Sequence, residues 1–311
     1  MGFAETGGAT AVPRGVVRTR PLAAAGSRAA DLLDLTRPRI TALVLVTTAA
    51  GFLLGAPGPV PLLALAQAVV GTGLVTAGAQ ALNQLLERRT DALMRRTAHR
   101  PLPAGRVRPR EAFLMGLLLS ACGVAVLGLT TNATTAGLAV LALAGYLLVY
   151  TPMKRRTAFC TVIGAVPGAT PVVMGWTAAG GDLGAGAIAL FLILLAWQLP
   201  HFMAIAWIYR EDYARAGFPL IAVLDPTGRR TAIHTLGWGA ALVACSFLPS
   251  MAGLTGWIYT AGAAGAGLGF LACCASLARS RTTSRARAVL VGSVIYLPVL
   301  MALMLLGRSG P

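Results

Sequence analysis

Long apolar stretches alternate with short polar segments along almost the whole chain. Nine such stretches can be drawn, over residues 40–57, 61–82, 111–129, 135–151, 160–180, 184–209, 231–250, 256–278 and 288–306. A helix needs about 20 apolar residues to cross the hydrocarbon core of a bilayer. Because a backbone in lipid must satisfy its own N–H and C=O groups, runs of this length predict helices. The pattern therefore predicts an all-α integral membrane fold, a bundle of about nine transmembrane helices.

The composition agrees with a membrane protein. Of the 311 residues, 56% are hydrophobic and only 12% are charged, and the mean hydropathy is +0.73. A soluble domain carries roughly 25% charged residues, so too little polar surface is left here to coat a globule in water. This excludes an ordinary soluble enzyme, a disordered protein and a fibrous repeat. None of the five cysteines forms a CxxC pair, which argues against a disulfide framework or a zinc site.

Basic residues fall on one side of the membrane when the nine spans are threaded in order. All but one of the 26 Lys and Arg residues lie on the side of the amino terminus, and the exception is Arg308. Because loops rich in Lys and Arg stay in the cytoplasm, the amino terminus is predicted inside and the carboxyl terminus outside. A bacterial plasma membrane is the predicted location. The formal net charge of +16 is thus explained without a nucleic-acid partner.

Residues 1–34 are predicted to form a flexible cytoplasmic tail, followed by one polytopic membrane domain over residues 35–307. The first 30 residues are rich in Gly, Ala and Arg and contain one acid, Glu5. An organelle transit peptide is the alternative for this tail, because such peptides are rich in Arg and poor in acids. The sequence leaves both interpretations open.

Acidic residues are concentrated on the basic side of the membrane, where nine of the ten lie. Membrane topology requires Lys and Arg there but no Asp or Glu, so these acids suggest a site. The most informative group follows the second span. If the helix continues to residue 91, Asn83, Glu87 and Asp91 are spaced by four residues and form one stripe about 12 Å long.

This stripe of oxygen-bearing side chains suits Mg²⁺, which takes few protein ligands together with phosphate oxygens of a substrate. Arg96 and Arg100 follow, again four residues apart, and could donate charge-assisted hydrogen bonds to the same phosphates. The stretch therefore predicts a site for a magnesium–diphosphate complex. A solvated helix end with i,i+4 salt bridges is the alternative interpretation.

Two further segments place ionisable groups near the same side. Residues 154–156 are all basic and follow Tyr150, and three bases after a span commonly serve only as a topology anchor. In the sixth span, Pro200 is predicted to kink the helix. His201 lies about two turns inside the membrane, where an ionisable group marks either a functional site or a helix–helix hydrogen bond. Asp212 lies at the inner end of this helix and faces the same aqueous layer as the acid stripe.

Together these segments resemble the UbiA superfamily of membrane prenyltransferases and, within it, the protohaem IX farnesyltransferases, or haem O synthases. The superfamily pattern Asn-x-x-x-acid-x-x-x-Asp is matched by residues 83–91, and a Tyr-Thr…Lys-Arg segment by residues 150–155. Motifs of the haem group are matched by Leu-Thr-Arg-Pro-Arg at 35–39, Met-x-Arg-Thr-x-x-Arg-Pro-Leu-Pro at 94–103, Ile-Gly-Ala-Val-Pro-Gly-Ala at 163–169, Trp-Gln-Leu-Pro-His-Phe at 197–202 and Tyr-Arg-Glu-Asp-Tyr-Ala-x-Ala-Gly-Phe-Pro at 209–219. The resemblance covers most of the chain and leaves out the tail.

The resemblance implies nine transmembrane helices around a central cavity. It also implies transfer of the farnesyl group of farnesyl diphosphate to a vinyl group of haem B, with addition of water, to give haem O and diphosphate. Besides the lipid bilayer, haem A synthase and cytochrome oxidase assembly proteins are candidate partners.

The site residues that the resemblance implies fall into three groups. Mg²⁺ would be held by Asn83, Glu87, Asp91 and Asp212. The diphosphate would be bound by Arg96, Arg100, Lys154 and Arg155. The farnesyl cation would be stabilised or positioned by Tyr150, and haem would be contacted by His201 and Trp197.

The chain departs from the family pattern at several positions. Arg89 replaces a usual Asp, but two residues after Glu87 it points roughly 200° around the helix, away from the acid stripe. Cys160 replaces a usual Asn. The second acid motif of the superfamily is incomplete, because Ala216 lies four residues after Asp212 where the motif has a second acid. The metal stripe is nevertheless expected to survive.

Two other functions stay open at this point. The first is a UbiA-type prenyltransferase for a quinone precursor or chlorophyllide, although the motif at 197–202 argues against it. The second is a membrane transporter with an acid-lined site. Transporters place their charges near the bilayer midplane, whereas these acids crowd the inner rim.

Overall fold

The computed structural model describes residues 27–308. Within that range, nine helical segments are long and apolar enough to cross a membrane, which confirms the predicted fold class and number of spans. In chain order the helices are α1 (Arg28–Leu35), α2 (Pro38–Gly55), α3 (Leu62–Asp91), α4 (Pro109–Thr130), α5 (Ala133–Ala144), α6 (Thr151–Met153), α7 (Cys160–Ala178), α8 (Ala185–Ile208), α9 (Arg210–Arg215), α10 (Ile221–Leu224), α11 (Arg229–Cys245), α12 (Leu248–Met251), α13 (Trp257–Ser280) and α14 (Thr283–Leu306).

The fourth span, Ala133–Met153, is built from three consecutive pieces. A π-helical stretch, Gly145–Tyr150, joins α5 to α6 without a break. Single π-helical turns inside α-helices occur often at functional sites. This one ends at Tyr150, four residues before Lys154 in the basic segment that follows the span.

Helix α3 continues to Asp91, past the predicted end of the second span at residue 82. With 30 residues it is about 45 Å long, more than a bilayer core requires. The residues beyond 82 are mostly Leu, Gln, Glu and Arg, which favour helix on their own. The Thr97 hydroxyl donates a 2.8 Å hydrogen bond to the carbonyl of Asp91, one of the last carbonyls of the helix. Because the helix does continue to residue 91, Asn83, Glu87 and Asp91 can form the single stripe predicted from their spacing.

Glycines allow the helices to approach one another closely. A Cβ atom on Gly51 of α2 would lie 2.0 Å from the carbonyl oxygen of Val172 in α7. One on Gly175 of α7 would lie 1.9 Å from the carbonyl oxygen of Thr48 in α2. Only glycine fits at these two crossings, because any side chain would overlap the neighbouring backbone. This explains part of the high glycine content, since helices in lipid associate through close packing of small residues.

Helices α7 and α8 form the centre of the bundle. In these two helices 67% and 61% of the membrane-length window is buried, compared with 11% in the fourth span. The outer surface instead exposes large apolar side chains, among them Leu62, Leu129 and Leu306, which are 77%, 87% and 85% exposed. An apolar exterior of this extent requires lipid as its solvent.

Residues 28–34, predicted from the sequence as part of the flexible tail, lie in helix α1. Leu35 at its end is fully buried in a small cluster with Leu102 and Val107. Asp31 of α1 accepts a 2.9 Å bond from Arg106, and Arg28 pairs with Glu111. Helix α1 is thus fastened to the loop between α3 and α4 and to the first turn of α4. Residues 1–26, the rest of the predicted tail, lie outside the described part of the chain.

Candidate active site

A cavity of about 500 Å³ lies between the helices, which is within the usual size range of small-molecule sites. Its wall is formed by α2, α3, α7 and α8, by the fourth span and by the loop that follows α3. Charged groups occupy the end of the cavity where α3 finishes and α2 begins. The rest of the wall is mainly apolar, with Leu43, Val44, Val75, Leu143, Met174, Leu194 and Leu297. A ligand with one charged end and a long apolar body matches this division.

Two members of the predicted acid stripe, Glu87 and Asp91, lie on the cavity wall. They are four residues apart near the end of α3, and both are buried, with 7% and 1% of their surface exposed. The third member, Asn83, is equally buried but lies behind the wall. Its side-chain amide donates a 3.0 Å hydrogen bond to the hydroxyl of Thr151. Asn83 therefore ties α3 to the fourth span.

A basic side chain is bound to each of the two carboxylates. Lys154 donates to both oxygens of Glu87, at 2.9 and 3.2 Å. Arg100 donates to Asp91 at 2.8 Å. Burial alone would lower the pKa of Lys154, but the charge and hydrogen bond of Glu87, together with the nearby Tyr150 and Tyr213, outweigh burial and raise that pKa above its ordinary value. Lys154 is therefore protonated throughout the neutral range.

At Arg100 the effects that lower the pKa outweigh those that raise it. Burial lowers the pKa of Arg100, and the charge of nearby Arg37 lowers it further, while Asp91 only partly offsets these effects. The guanidinium still stays charged, because its ordinary pKa is far above neutral. Besides burial, the charges of both Arg37 and Arg96 contribute to the lowering, so positive charge is in surplus around Arg100. Such a surplus favours an anionic ligand.

Two arginines at the charged end of the cavity have unused hydrogen-bonding groups. The Nε atoms of Arg37 and Arg96 are buried and have no hydrogen-bond partner among the described residues. The guanidinium of Arg96 lies 5.2 Å from the ring centre of Tyr209 and 4.8 Å from that of Tyr213. Both arginines border the cavity. A buried donor without a partner is costly, and an anion in the cavity would supply one.

Arg37 and Arg39 were not assigned to the site from the sequence, although both lie on the cavity wall. The backbone of Arg37 is left-handed, with φ 46°, directly before Pro38 at the start of α2. A residue other than glycine rarely adopts this conformation, and where it occurs it commonly marks a functional site. The available signal was the position of these bases at the inner end of a span, level with the acid stripe.

The wall can accommodate a divalent metal that binds together with a phosphate. In the range 27–308 no group of three His, Cys, Asp or Glu side chains could hold a metal ion by itself. Glu87 and Asp91 supply two carboxylates, and Mg²⁺ is commonly bound by one or two carboxylates, waters and substrate phosphates. The residues present therefore fit a magnesium ion completed by a diphosphate.

Two predicted site residues, Arg155 and Asp212, lie away from the cavity wall, and so does Arg89, which replaces a usual Asp. Arg155 is exposed, as is Arg89, which points away from the stripe as expected. Asp212 is buried, but its carboxylate is bound to the backbone N–H groups of Arg95 and Arg96. The structure therefore does not bring Arg155 or Asp212 together with Glu87 and Asp91.

His201 and Trp197 lie one helical turn apart on α8, and both line the cavity. Their rings are stacked with centres 5.1 Å apart. Both also bind Ser293 of α14: the Trp197 indole donates to its carbonyl at 2.7 Å, and His201 Nδ1 lies 2.8 Å from its hydroxyl. The helix–helix hydrogen bond that the sequence left open is thus present. The Nε2 atom of His201 has no hydrogen-bond partner in the described range.

Tyr150, at the end of the π-helical stretch, also lies on the cavity wall. Its ring is held between Tyr146, with ring centres 5.5 Å apart, and the backbone of Gly164 in α7. A Cβ atom on Gly164 would lie 2.5 Å from this ring, so glycine makes room for it. Lys154 Nζ lies 5.5 Å from the ring centre of Tyr150. The aromatic face is thereby placed beside the charged end of the cavity.

Comparisons of the sequence with known proteins identify a family. The sequence profile of the UbiA prenyltransferase family matches residues 44–304. Over 289 residues the chain is 46% identical to a protein of Solibacter usitatus named protoheme IX farnesyltransferase, and the match covers 90% of this chain and 99% of that protein. A protein of the same name from Salinibacter ruber is 45% identical, with 88% and 97% covered.

The fold is also similar to that of solved membrane proteins. A structure described as digeranylgeranylglyceryl phosphate synthase superposes with a TM-score of 0.75 at 18% identity, covering 91% of this chain and 99% of that one. A UbiA homologue from Archaeoglobus fulgidus bound to GPP and Mg²⁺ superposes with a TM-score of 0.61 at 18% identity, covering 88% and 99%. The overall fold of the described bundle is therefore shared with these proteins. By its sequence and its fold, the chain belongs to the UbiA prenyltransferase family.

Proposed function

We propose that the chain transfers the farnesyl group of farnesyl diphosphate to a vinyl group of haem B, with addition of water, and releases haem O and diphosphate. The single observation that carries this proposal is the divided cavity, which has paired carboxylates and arginines at one end and an apolar body beyond them. The names of the two bacterial relatives support the choice of a haem acceptor.

The charged end is suited to the diphosphate. Arg37, Arg96, Arg100 and Lys154 supply the positive charge, and Glu87 and Asp91 supply carboxylates for Mg²⁺. When bound, Mg²⁺ would neutralise the negative charge that develops on the diphosphate as its bond to the farnesyl group breaks. Binding of Mg²⁺ to a UbiA homologue together with GPP supports this assignment.

The two ion pairs on this wall allow an exchange of partners when a ligand binds. Lys154 and Arg100 now bind Glu87 and Asp91, so no carboxylate on this wall is left without a counter-charge. A magnesium–diphosphate complex brings a cation for the acids and an anion for the bases. Each side chain can then turn from its protein partner to the ligand without losing its ionic contact. We infer that the metal and the diphosphate bind more tightly together than either does alone.

The apolar part of the cavity serves the farnesyl chain and the reaction. The C–O bond of the allylic diphosphate breaks, and its electron pair leaves with the diphosphate. The vinyl group of haem attacks the resulting cation through its terminal carbon, and the positive charge moves to the carbon next to the porphyrin. A water hydroxyl then adds there and its proton leaves. The apolar wall keeps other water away from the farnesyl cation, and the Tyr150 ring faces the charged end, where that cation arises.

We assign the haem acceptor to the part of the wall that carries Trp197, His201 and Phe202. His201 lies between the other two rings, stacked on Trp197 and edge-on to Phe202 at 5.7 Å. Flat aromatic surfaces suit a porphyrin plane, and His201 Nε2 is a candidate axial ligand for the iron. The same protein would lie in a bacterial plasma membrane with its charged site on the cytoplasmic side.

The test is a direct assay of the acceptor. Membranes that contain the protein are incubated with farnesyl diphosphate, Mg²⁺ and an equimolar mixture of haem B, chlorophyllide and a quinone precursor, and the extracted products are analysed by mass spectrometry. We expect only haem to gain one farnesyl and one hydroxyl group, and Asp91→Asn membranes to give no product. Prenylation of another acceptor in preference to haem would contradict the proposal.

A further inference from the structure

Gln198 places a buried amide on the wall of the cavity, beside the aromatic patch of α8. It follows Trp197 in the chain, lines the cavity and is 6% exposed. A side-chain amide carries two donor hydrogens on its nitrogen and an acceptor oxygen. Because a buried polar group without partners is costly, the contacts of this amide indicate what it serves.

The amide nitrogen of Gln198 is fully used by the protein. Nε2 donates to the backbone carbonyl of Ala165 in α7 at 3.1 Å and to that of Leu194 in α8 at 3.0 Å. Both partners are acceptors, so a reversed amide would bring its own oxygen against two carbonyl oxygens. The orientation of the amide is therefore fixed, with its oxygen on the side away from these carbonyls.

The amide oxygen of Gln198 is unused at the surface of the cavity. Among residues 27–308, no N–H or O–H group donates a hydrogen bond to Oε1. The oxygen lies over Gly168 of α7, where a Cβ atom would come within 2.0 Å of it. Gly168 also lines the cavity, so the absence of a side chain there makes room for Oε1. A water molecule in the cavity could supply the missing donor.

The position of Oε1 along the cavity matches the reacting end of a farnesyl chain. Gly164 packs against the ring of Tyr150 beside the charged end, and Gly168 follows it by one turn of α7, about 6 Å. On α8, the adjacent Trp197 belongs to the patch assigned to haem. The carbon that becomes positive after farnesyl transfer is two bonds from the first farnesyl carbon, so it lies near both features.

Other polar groups on the apolar part of the wall are less well placed or already used. Thr76 precedes Glu87 by eleven residues in α3, roughly 16 Å along the helix, and Thr72 lies one turn farther away. Gln80 is closer to Glu87, but its oxygen accepts the hydroxyl of Tyr146 at 3.5 Å. Of the two amide side chains on the described wall, Gln198 is the one whose oxygen has no donor.

We propose that Gln198 Oε1 holds the water molecule that adds to the haem side after farnesyl transfer. One O–H of the water donates to Oε1, which leaves a lone pair on the water oxygen free to attack the cation. A donor at this position would bind that lone pair instead, and the fixed amide prevents this. The new C–O bond forms at the carbon next to the porphyrin, and the proton passes from the added oxygen to the released diphosphate. This role rests on the proposed function.

Without the held water, the same cation has a second fate. It can lose a proton from its neighbouring CH2 group, which leaves a double bond beside the porphyrin. The resulting porphyrin is lighter than haem O by one water. The ratio of dehydrated product to haem O therefore reports on the water step, whereas a purely structural change lowers both products together.

The first experiment uses Gln198→Met, which keeps the length of the side chain but removes the acceptor. Membranes that contain the variant are incubated with haem B, farnesyl diphosphate and Mg²⁺, and the extracted porphyrins are analysed by mass spectrometry. We expect the ratio of dehydrated product to haem O to rise at least about fivefold over the wild type, as for loss of one hydrogen bond. Binding of the unreactive analogue farnesyl thiodiphosphate at saturating Mg²⁺ should stay within about twofold.

Two results with Gln198→Met would overturn the proposal. The first is an unchanged ratio of the two products. The second is a folded variant that makes neither product, because Gln198 would then act before the water step.

Gln84→Met is the matched control. Gln84 is also buried, and its Nε2 also donates to two backbone carbonyls, those of Asp34 and Leu35, at 3.0 Å each. Its Oε1 likewise has no partner in the part of the chain that the structure describes, but Gln84 does not line the cavity. The substitution removes the same kinds of contact elsewhere, so the product ratio should equal that of the wild type. An equal rise in both variants would contradict a specific role of Gln198.

Gly168→Ala tests the same oxygen without changing Gln198. Its methyl group would overlap Oε1 and displace it, so the product ratio should rise in the same direction. This variant also serves if Gln198→Met does not fold. If the wild type makes no haem O, the proposed function fails and the role of Gln198 fails with it. If the wild type makes haem O and the ratio is unchanged in Gly168→Ala and Gln198→Met, only the role of Gln198 is contradicted.

Discussion

Lys154 lies within hydrogen-bonding distance of both carboxylate oxygens of Glu87, although 67 residues separate them in the chain. The pair joins the end of α3 to the end of the fourth span at the charged end of the cavity. Both side chains are mostly buried, at 16% and 8% exposure. A buried ion pair of this kind contributes little net stability, because desolvation offsets the attraction. We expect the pair instead to position the Glu87 carboxylate and the Lys154 ammonium for a ligand that carries both a positive and a negative charge.

Glu87→Gln is expected to abolish turnover while leaving insertion into the membrane intact. The amide keeps the shape of the side chain but removes the negative charge that a metal requires, and Lys154 loses its partner. A loss of at least about a hundredfold is expected, similar to that for removal of one electrostatic group from an active site. Haem O formation in membranes measures it, and detergent extraction with size-exclusion chromatography checks the fold. Glu211→Gln is the matched control, and substantial haem O from Glu87→Gln would remove Glu87 from the mechanism.

Asp91→Asn should act mainly on the requirement for Mg²⁺. Asp91 is 1% exposed, and its loss leaves Arg100 without its ionic partner. Binding of farnesyl thiodiphosphate in the absence of metal is expected to stay within a few-fold of the wild type, because the bases remain. The stimulation of binding by Mg²⁺ should be lost. Asp31→Asn breaks a similar pair with Arg106 outside the cavity, so its Mg²⁺ response should equal that of the wild type.

The sequence was a good guide to the fold and to the acid stripe for a simple reason. Apolar length determines a membrane span, and spacing by four determines a helix face, so both can be predicted without tertiary contacts. Glu87 and Asp91 accordingly lie on one wall. Asn83 lies on the same stripe but binds Thr151, because the fourth span packs there. Periodicity gives the face of a helix, and only the neighbouring helix decides what each side chain contacts.

The limits of the sequence are clearest at Asp212 and Arg37. The sequence predicts Asp212 as one of four metal ligands, at the inner end of a span and facing the same aqueous layer as Asp91. Its actual partners are backbone N–H groups of Arg95 and Arg96 in a distant loop, which no local pattern reveals. Arg37 looked like one more topology anchor. Its left-handed backbone and unpartnered Nε became visible only in three dimensions.

Arg37→Gly is expected to separate stability from binding. A left-handed backbone costs other residues roughly 1–2 kcal/mol more than glycine, so the folded state should become more stable by up to about that amount. Binding of farnesyl thiodiphosphate should weaken by about tenfold, because one cation leaves the charged end. Arg37→Gln keeps the strain and should weaken binding alone.

Two measurements test Arg37→Gly against a control variant. They are thermal unfolding in detergent and equilibrium binding of radiolabelled farnesyl thiodiphosphate. Arg89→Gln removes an exposed arginine outside the cavity and should change neither. Unchanged binding in Arg37→Gly would show that this arginine serves only the turn into α2.

His201→Ala is expected to weaken haem binding by at least about tenfold, while binding of farnesyl thiodiphosphate stays within about twofold. The ring lies on the aromatic part of the wall, away from the paired carboxylates, and its Nε2 atom has no partner in the described range. Haem titration followed by absorbance measures the first effect, and the radiolabelled analogue the second. Ser293→Ala removes only the hydroxyl that His201 contacts, and it should weaken haem binding less. Equal losses of both ligands in His201→Ala would mean that the histidine is structural.

Gly175→Ala should destabilise the bundle at the crossing of α2 and α7. The added Cβ would lie 1.9 Å from the carbonyl oxygen of Thr48, and neither backbone can move aside without disturbing the central helix. Overpacking of this kind costs about 1–3 kcal/mol, so the midpoint of thermal unfolding in detergent should fall by several degrees. Gly137→Ala in α5 is the matched control. No atom lies within 4 Å of its added Cβ, and alanine favours helix over glycine, so its midpoint should stay level or rise. A smaller loss in Gly175→Ala than in Gly137→Ala would mean that the close crossing does not hold α2 against α7.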